Sequence, residues 1–206
     1  MMGRICVVTS QSKAYYSLVS RLRKAGLPFV SVVPETRHPP CDLVLTTRAE
    51  AGSLGPSALP VELLDDDPFV FKGQVLSRLD GGREALLIGV DPGRRIGMAA
   101  YYGSTSLELR TCDSAEGLCA RVTAFVRGVP SRRSLVRIGN GNSALAAGLA
   151  LSVADRVPSV TIEVVDEAGT SARGVKMRGV QGDQRAAARI AFRKGVVFSG
   201  TPRNRT

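Results

Sequence analysis

Ile88-Gly89-Val90-Asp91-Pro92-Gly93-Arg94-Arg95-Ile96-Gly97 decides the reading of the chain. The apolar run that leads into it, Leu86-Leu87-Ile88-Gly89-Val90, is short, partly β-branched and bounded by turn residues, which is the pattern of a buried strand. Asp91 ends that strand. Pro92-Gly93 stops it, because proline cannot donate to a ladder and glycine permits a tight turn. A second run over 96–102 follows, so the segment predicts a hairpin with one carboxylate beside its tip. An acid at a rigid strand end suits a metal ligand or a base, and it also suits a plain turn residue.

Working outward, the rest of the second half repeats this alternation of apolar runs and punctuation. Strands are expected over 86–90, 96–102, 107–111, 135–138 and 160–165. Helices are expected over 115–127, 143–155 and 183–194, with a small further strand at 196–198. The order β-β-β-α-β-α-β-α implies an α/β fold: a mixed five-stranded sheet flanked by helices. Ahead of it, residues 1–81 predict a small Rossmann-like α/β module. Its strands fall near 4–10, 29–33, 42–47 and 61–64, with a helix over 13–25 and a connecting helix over 71–81. Thr9-Ser10-Gln11-Ser12-Lys13 is neither a Walker A nor a G-x-G-x-x-G sequence, so that module carries no nucleotide fingerprint and its role is left open. Asp80-Gly81-Gly82 marks the expected boundary, with a second domain over 82–206.

Composition narrows the partner. The formal net charge is +10. Residues 1–81 carry 9 Lys/Arg against 8 Asp/Glu, a net of +1, whereas 82–206 carry 19 against 10, a net of +9. The basicity therefore sits in the half that holds Asp91, and it is mostly arginine, which grips phosphate bidentately. A polyanion, most often nucleic acid, is the expected partner. No apolar run is long enough to span a bilayer, and Ile5 to Val8 is too short for a signal-peptide core. The expectation is a cytoplasmic protein without membrane association. Cys6, Cys41, Cys112 and Cys119 form no C-x-x-C pair, and His38 is the single histidine, in a proline-flanked turn. Structural zinc is not expected, and the cysteines are expected as reduced, buried thiols.

Three further positions bring acids toward Asp91. The strand over 160–165 delivers Asp166-Glu167. Asp183 opens the last helix, on the same face as Ala187, Ile190 and Ala191. Each also has a purely structural reading: Asp183 as a helix N-cap, Glu167 as a loop charge paired with arginine. Between Glu167 and Asp183 lies a Gly- and Arg-bearing loop with Arg173, Lys176 and Arg178 as phosphate-contact candidates. Arg94 and Arg95 beside the Asp91 turn are further candidates, and Asn140 in Gly139-Asn140-Gly141-Asn142 can offer a neutral oxygen.

Taken together, Ile88-Gly89-Val90-Asp91-Pro92-Gly93, Asp166-Glu167-Ala168-Gly169-Thr170-Ser171 and the Asp183 helix resemble the RNase H-like superfamily in its Holliday junction resolvase branch, the RuvC and RuvX/YqgF proteins, over about residues 85–195. That resemblance implies a metal-dependent endonuclease acting on branched DNA as a homodimer. Its metal-binding acids would be Asp91, Glu167 and Asp183, with Asp166 as the alternative to Glu167, holding two Mg²⁺ or Mn²⁺ ions. Two departures stand out: Asn140 where RuvC has an acid, and Ala168 where YqgF proteins have arginine. An RNase on structured or precursor RNA and a non-catalytic nucleic-acid-binding protein are the competing expectations. An actin-like ATPase is disfavoured for want of a second glycine-rich phosphate turn.

Overall fold

A computed structural model of the chain describes residues 3–34, 40–167 and 181–199. The expectations for His38, Arg173, Lys176 and Arg178 lie outside these residues. The chain divides into two compact units, Met1–Gly82 and Arg83–Thr206. Both are mixed α/β layers, the first built on a parallel sheet and the second on a mixed one.

The first unit runs β1 (Ile5–Val8), α1 (Ser12–Ala25), β2 (Val30–Val32), β3 (Leu43–Thr46), α2 (Arg48–Leu54), β4 (Ala58–Pro60) and α3 (Pro68–Asp80). All strand pairs are parallel, in the order β2-β1-β3-β4. β1 and β3 are buried along their whole length, as central parallel strands covered on both faces must be. α1 stops at Gly26, whose φ of 66° is open to glycine at little cost. Asp67, the last of the Asp65-Asp66-Asp67 cluster, is a helix cap: its carboxylate accepts from Phe69 N at 2.9 Å and Val70 N at 3.0 Å, with Pro68 at the first helical position.

Three expectations for this unit are corrected. Residues 61–64 are not a strand. Val61–Leu63 is a 3₁₀ turn, and the strand precedes it as β4, paired to β3. The helix α2 was not expected, because its seven residues include Gly52 and Ser53 and bury no side chain to reveal a period. The thiols are not all reduced either: Cys6 and Cys41 form a disulfide with Cα atoms 6.0 Å apart. The pairing of Ile5 with Leu43 and of Cys6 with Val44 brings the residues together across a separation of 35. Cys112 and Cys119 are free and buried, and burial raises both thiol pKa values above the ordinary range.

The second unit runs β5 (Ala85–Asp91), β6 (Ile96–Tyr102), β7 (Thr105–Cys112), α4 (Ala115–Gly128), β8 (Arg133–Gly139), α5 (Ser143–Arg156), β9 (Thr161–Val165), α6 (Gly182–Ala191) and β10 (Val196–Val197). Its sheet has the order β10-β9-β8-β5-β6-β7: the five expected strands, with the small further strand expected at 196–198 joining as β10, antiparallel to β9. β5, β6 and β7 form an antiparallel meander, and β5, β8 and β9 are parallel. The carboxyl ends of β5, β7, β8 and β9 therefore share one edge of the sheet.

The two faces of this sheet are built differently. α4 and α5 cover one. The other receives α6 through a seam of small residues, in which Ala99, Ala187, Ala188 and Ala191 are all buried, with Leu87 and Leu109 packed against them. Gly89 makes this seam possible. A Cβ there would overlap the Ala187 carbonyl oxygen and lie 2.6 Å from Ala191 N. Arg137, 8% exposed on β8, ties the layers together by donating Nε to Glu163 at 2.7 Å and Nη1 to the Ala191 carbonyl at 2.8 Å. Among the described residues no helix is long and apolar enough to cross a membrane.

Candidate functional site

In the second unit, strand alternation and glycine together bring three acids to the shared carboxyl edge. Asp91 follows Gly89 by two residues, so its side chain is on the α6 face. Its cross-strand partner is Gly97. A Cβ at Gly97 would overlap the Asp183 carbonyl oxygen and lie 3.2 Å from Asp183 Cβ, so the missing side chain is what admits Asp183 beside Asp91. Glu167 is seated the same way, over Gly139, where a Cβ would overlap its Oε1 and lie 2.8 Å from its Cδ.

The consequence is electrostatic. Burial, reinforced by the charges of Glu167 and Asp183, pushes the Asp91 carboxyl up to about 6. Its two neighbours are held by donors. Asp183 accepts from the Thr111 hydroxyl at 2.7 Å and from Gln184 N at 2.9 Å. Glu167 accepts from Gly141 N at 3.1 Å, while its own N–H donates to Asn140 Oδ1 at 3.0 Å. Asn140 thus orients Glu167. Asp166 is exposed, and its carbonyl accepts from Arg193 at 3.0 Å. Arg94 and Arg95 are exposed in the turn after Asp91. Among the described residues no group of three or more His, Cys, Asp or Glu could hold a metal ion.

Asp91 is therefore held where its charged form is disfavoured, first by burial and then by its acidic neighbours. Its proton is bound more tightly in the folded state than in the unfolded one. It adds stability below pH 4, and that contribution is lost as the pH rises through 6. About two pKa units correspond to at most ~3 kcal/mol, and screening at a half-buried carboxyl reduces this to roughly 1–2 kcal/mol. Asp91→Asn is expected to stabilise the unit by that amount at pH 7.5 and by nothing measurable at pH 3.5, read from urea unfolding at the two pH values. A pH-independent effect would show that the Asp91 carboxyl pKa is not raised in the folded state.

The first unit has its own polar centre, at the carboxyl ends of β1 and β3. Thr9, Ser10 and Thr47 gather on Glu50, donating hydroxyls at 2.6, 2.6 and 2.7 Å, and Ser10 N adds a fourth bond at 2.8 Å. Burial opposes ionisation of Glu50, but these donors outweigh it and hold the carboxyl at about 2. Beside them a crevice of about 280 Å³ opens, lined by Thr9, Ser10, Tyr15 and Ser31. Tyr15 and Ser31 hydroxyls bond across it at 3.0 Å. Crevices outside the carboxyl ends of parallel strands are where doubly wound sheets place ligands. Sequence reading missed this centre because Glu50 lies on the unanticipated α2.

Comparison with known families places a match on this unit. A family model described as a response regulator receiver-like domain matches residues 4–78. No curated protein matches the chain. The family match overturns the RNase H-like, Holliday junction resolvase identification, and with it the expected metal-dependent endonuclease and its recombination and repair roles. The match falls on the module that the sequence reading had assigned to no family. The three acidic motifs misled because each is a local device: an acid at a Pro-Gly turn, an acid after a strand, and an acid at a helix start all recur across unrelated α/β proteins.

Proposed function

We propose that the chain is a regulatory protein without catalytic activity, in which a receiver-like signalling unit is joined to a unit that binds nucleic acid. The observation that carries this reading is the receiver-like match on residues 4–78 in the same chain as a second unit of net charge +9, with 19 Lys/Arg against 10 Asp/Glu. Arginine-rich excess charge of this size supplies sequence-tolerant affinity for phosphate backbones.

A divalent cation fits only in part. The acids do not form a three-carboxylate cage, yet Mg²⁺ is commonly held by one or two carboxylates together with phosphate oxygens and water. In this reading Asp91, with Glu167 or Asp183, holds Mg²⁺ or Mn²⁺ only once phosphate is present. When bound, the ion offsets repulsion between these acids and the backbone. Asn140 and Thr111 keep Glu167 and Asp183 in place for it.

The test is fluorescence anisotropy of the full chain with labelled duplex, branched and single-stranded DNA and with RNA, in Mg²⁺ and in EDTA. The expected result is binding that weakens steeply between roughly 50 and 200 mM salt, with every oligonucleotide recovered at its original length. Shortened oligonucleotides, or no binding at low salt, overturn the proposal.

A further inference from the structure

A cavity of about 440 Å³ in the second unit opens between the end of β7 and α4, with Arg110 and Arg121 in its wall. A second, of about 230 Å³, lies against the Pro92-Gly93-Arg94 turn and is closed by Leu145 and Leu149 of α5. Asp113 and Ser114 line both cavities, so they adjoin. They lie along the carboxyl edge that also carries Asp91.

The two arginines are fixed before any ligand arrives. Glu108, 3% exposed, takes Arg110 Nε on one oxygen at 2.6 Å and Arg121 Nε on the other. The Arg121 guanidinium also lies over the Phe125 ring, 4.6 Å from its centroid. A buried carboxylate that orients two guanidinium forks at a cavity wall removes much of the ordering cost of binding an anion. Fixed forks of this kind match phosphate oxygens bidentately. Burying Glu108 has a desolvation cost, and the pair of arginines offsets it.

The arrangement of charge selects among phosphates. Arg110 and Arg121 line one cavity and Arg94 the next, and Asp113 lines both. A compact polyphosphate would meet Asp113 head on. A chain of singly charged phosphates at intervals places its charges on either side of it, and Ala120, Ala124, Leu145 and Leu149 offer apolar surface to the sugars between. We infer that the two cavities form one groove for a nucleic-acid phosphodiester backbone, with Arg110 and Arg121 gripping one phosphate and Arg94 another. The inference rests on the nucleic-acid reading above and assigns it a specific surface.

The experiment uses the full chain and a labelled oligonucleotide, with anisotropy titrations between roughly 50 and 200 mM salt. R94Q is at an exposed turn position and should keep the wild-type melting temperature, whereas R110Q removes one of the two partners of buried Glu108 and should lower it, so both are titrated well below the unfolding transition. Each is expected to weaken binding about five- to tenfold at low salt and to reduce the slope of log affinity against log salt by about 1. R121K keeps the charge but loses the fork, so it should weaken binding and leave the slope unchanged. D113N should tighten binding. R133Q, at the start of β8 on the opposite edge of the sheet, should stay within twofold of wild type. If R94Q and R110Q bind like wild type while the chain still binds, the groove is wrong and the nucleic-acid reading survives. If the wild-type chain binds nothing, both fall. Displacement of the oligonucleotide by inorganic phosphate at comparable concentration overturns the backbone assignment alone.

Discussion

Gly89→Ala is expected to destabilise the second unit by about 3 kcal/mol or more, the upper end of what overpacking costs. The reason is that backbone opposes backbone. The added Cβ would overlap the Ala187 carbonyl oxygen and stand 2.6 Å from Ala191 N and 2.9 Å from Ala191 Cα. No side chain there can rotate away, so α6 itself has to move. Its displacement would carry Asp183 off the Thr111 hydroxyl and relax the crowding at Asp91, so the Asp91 pKa should fall toward its ordinary value in the same variant. Gly148→Ala is the internal control. A Cβ at position 148, on α5, meets nothing within 4 Å, and removing a mid-helix glycine should add roughly 0.5–1 kcal/mol. Urea unfolding of the two variants checks the pair of signs. A Gly89→Ala variant within 1 kcal/mol of wild type would mean that α6 does not pack on β5 as described.

The contrast between these glycines shows what the sequence could and could not disclose. The hairpin at Asp91 was legible almost to the residue, since strand period and turn chemistry are local. Ile96–Tyr102 is the expected second strand, and β5 extends its expected range by one residue at each end. The parallel run of β1 and the helix α1 were legible for the same reason. Gly97 and Gly139 were visible as motif and turn residues, but their role as gaps that seat Asp183 and Glu167 depends on contacts with residues distant in the chain. The Glu108–Arg110–Arg121 cluster was invisible, because charged residues at strand and helix positions look solvent-facing until the packing is known. Glu50 escaped with α2, whose short polar sequence has no period to find. The family identification failed in a related way. Several weak local motifs agreed with one another, but the match that discriminates lies in residues 4–78, where the parallel order β2-β1-β3-β4 is set by crossovers rather than by any short motif.

Reduction of the Cys6–Cys41 disulfide should cost the first unit about 4 kcal/mol, close to the whole stability of many small domains. The bridge closes a loop with a sequence separation of 35 that contains α1, β2 and the connection to β3. Removing it restores that loop's freedom to the unfolded chain. Chain-entropy reasoning gives about 3–4 kcal/mol for loops of this length. The released Cys6 thiol costs little in the folded state. Cys6 is fully buried beside Val8 and Val44, and a free cysteine packs as a small hydrophobe. The loss therefore comes from the unfolded state, and Cys41→Ser should reproduce the effect of reductant, with no further effect of reductant on the variant. The second unit supplies the control within the same molecule. Its Cys112 and Cys119 are unpaired, so reductant has no bond to break there. Hydrogen exchange separates the two. Amides of β1 and β3 should lose several hundredfold in protection under reductant, while those of β5 and β8 keep theirs. Equal protection of β1 with and without reductant would show that the cross-link contributes nothing. A parallel loss in β5 would place the effect somewhere other than this bond.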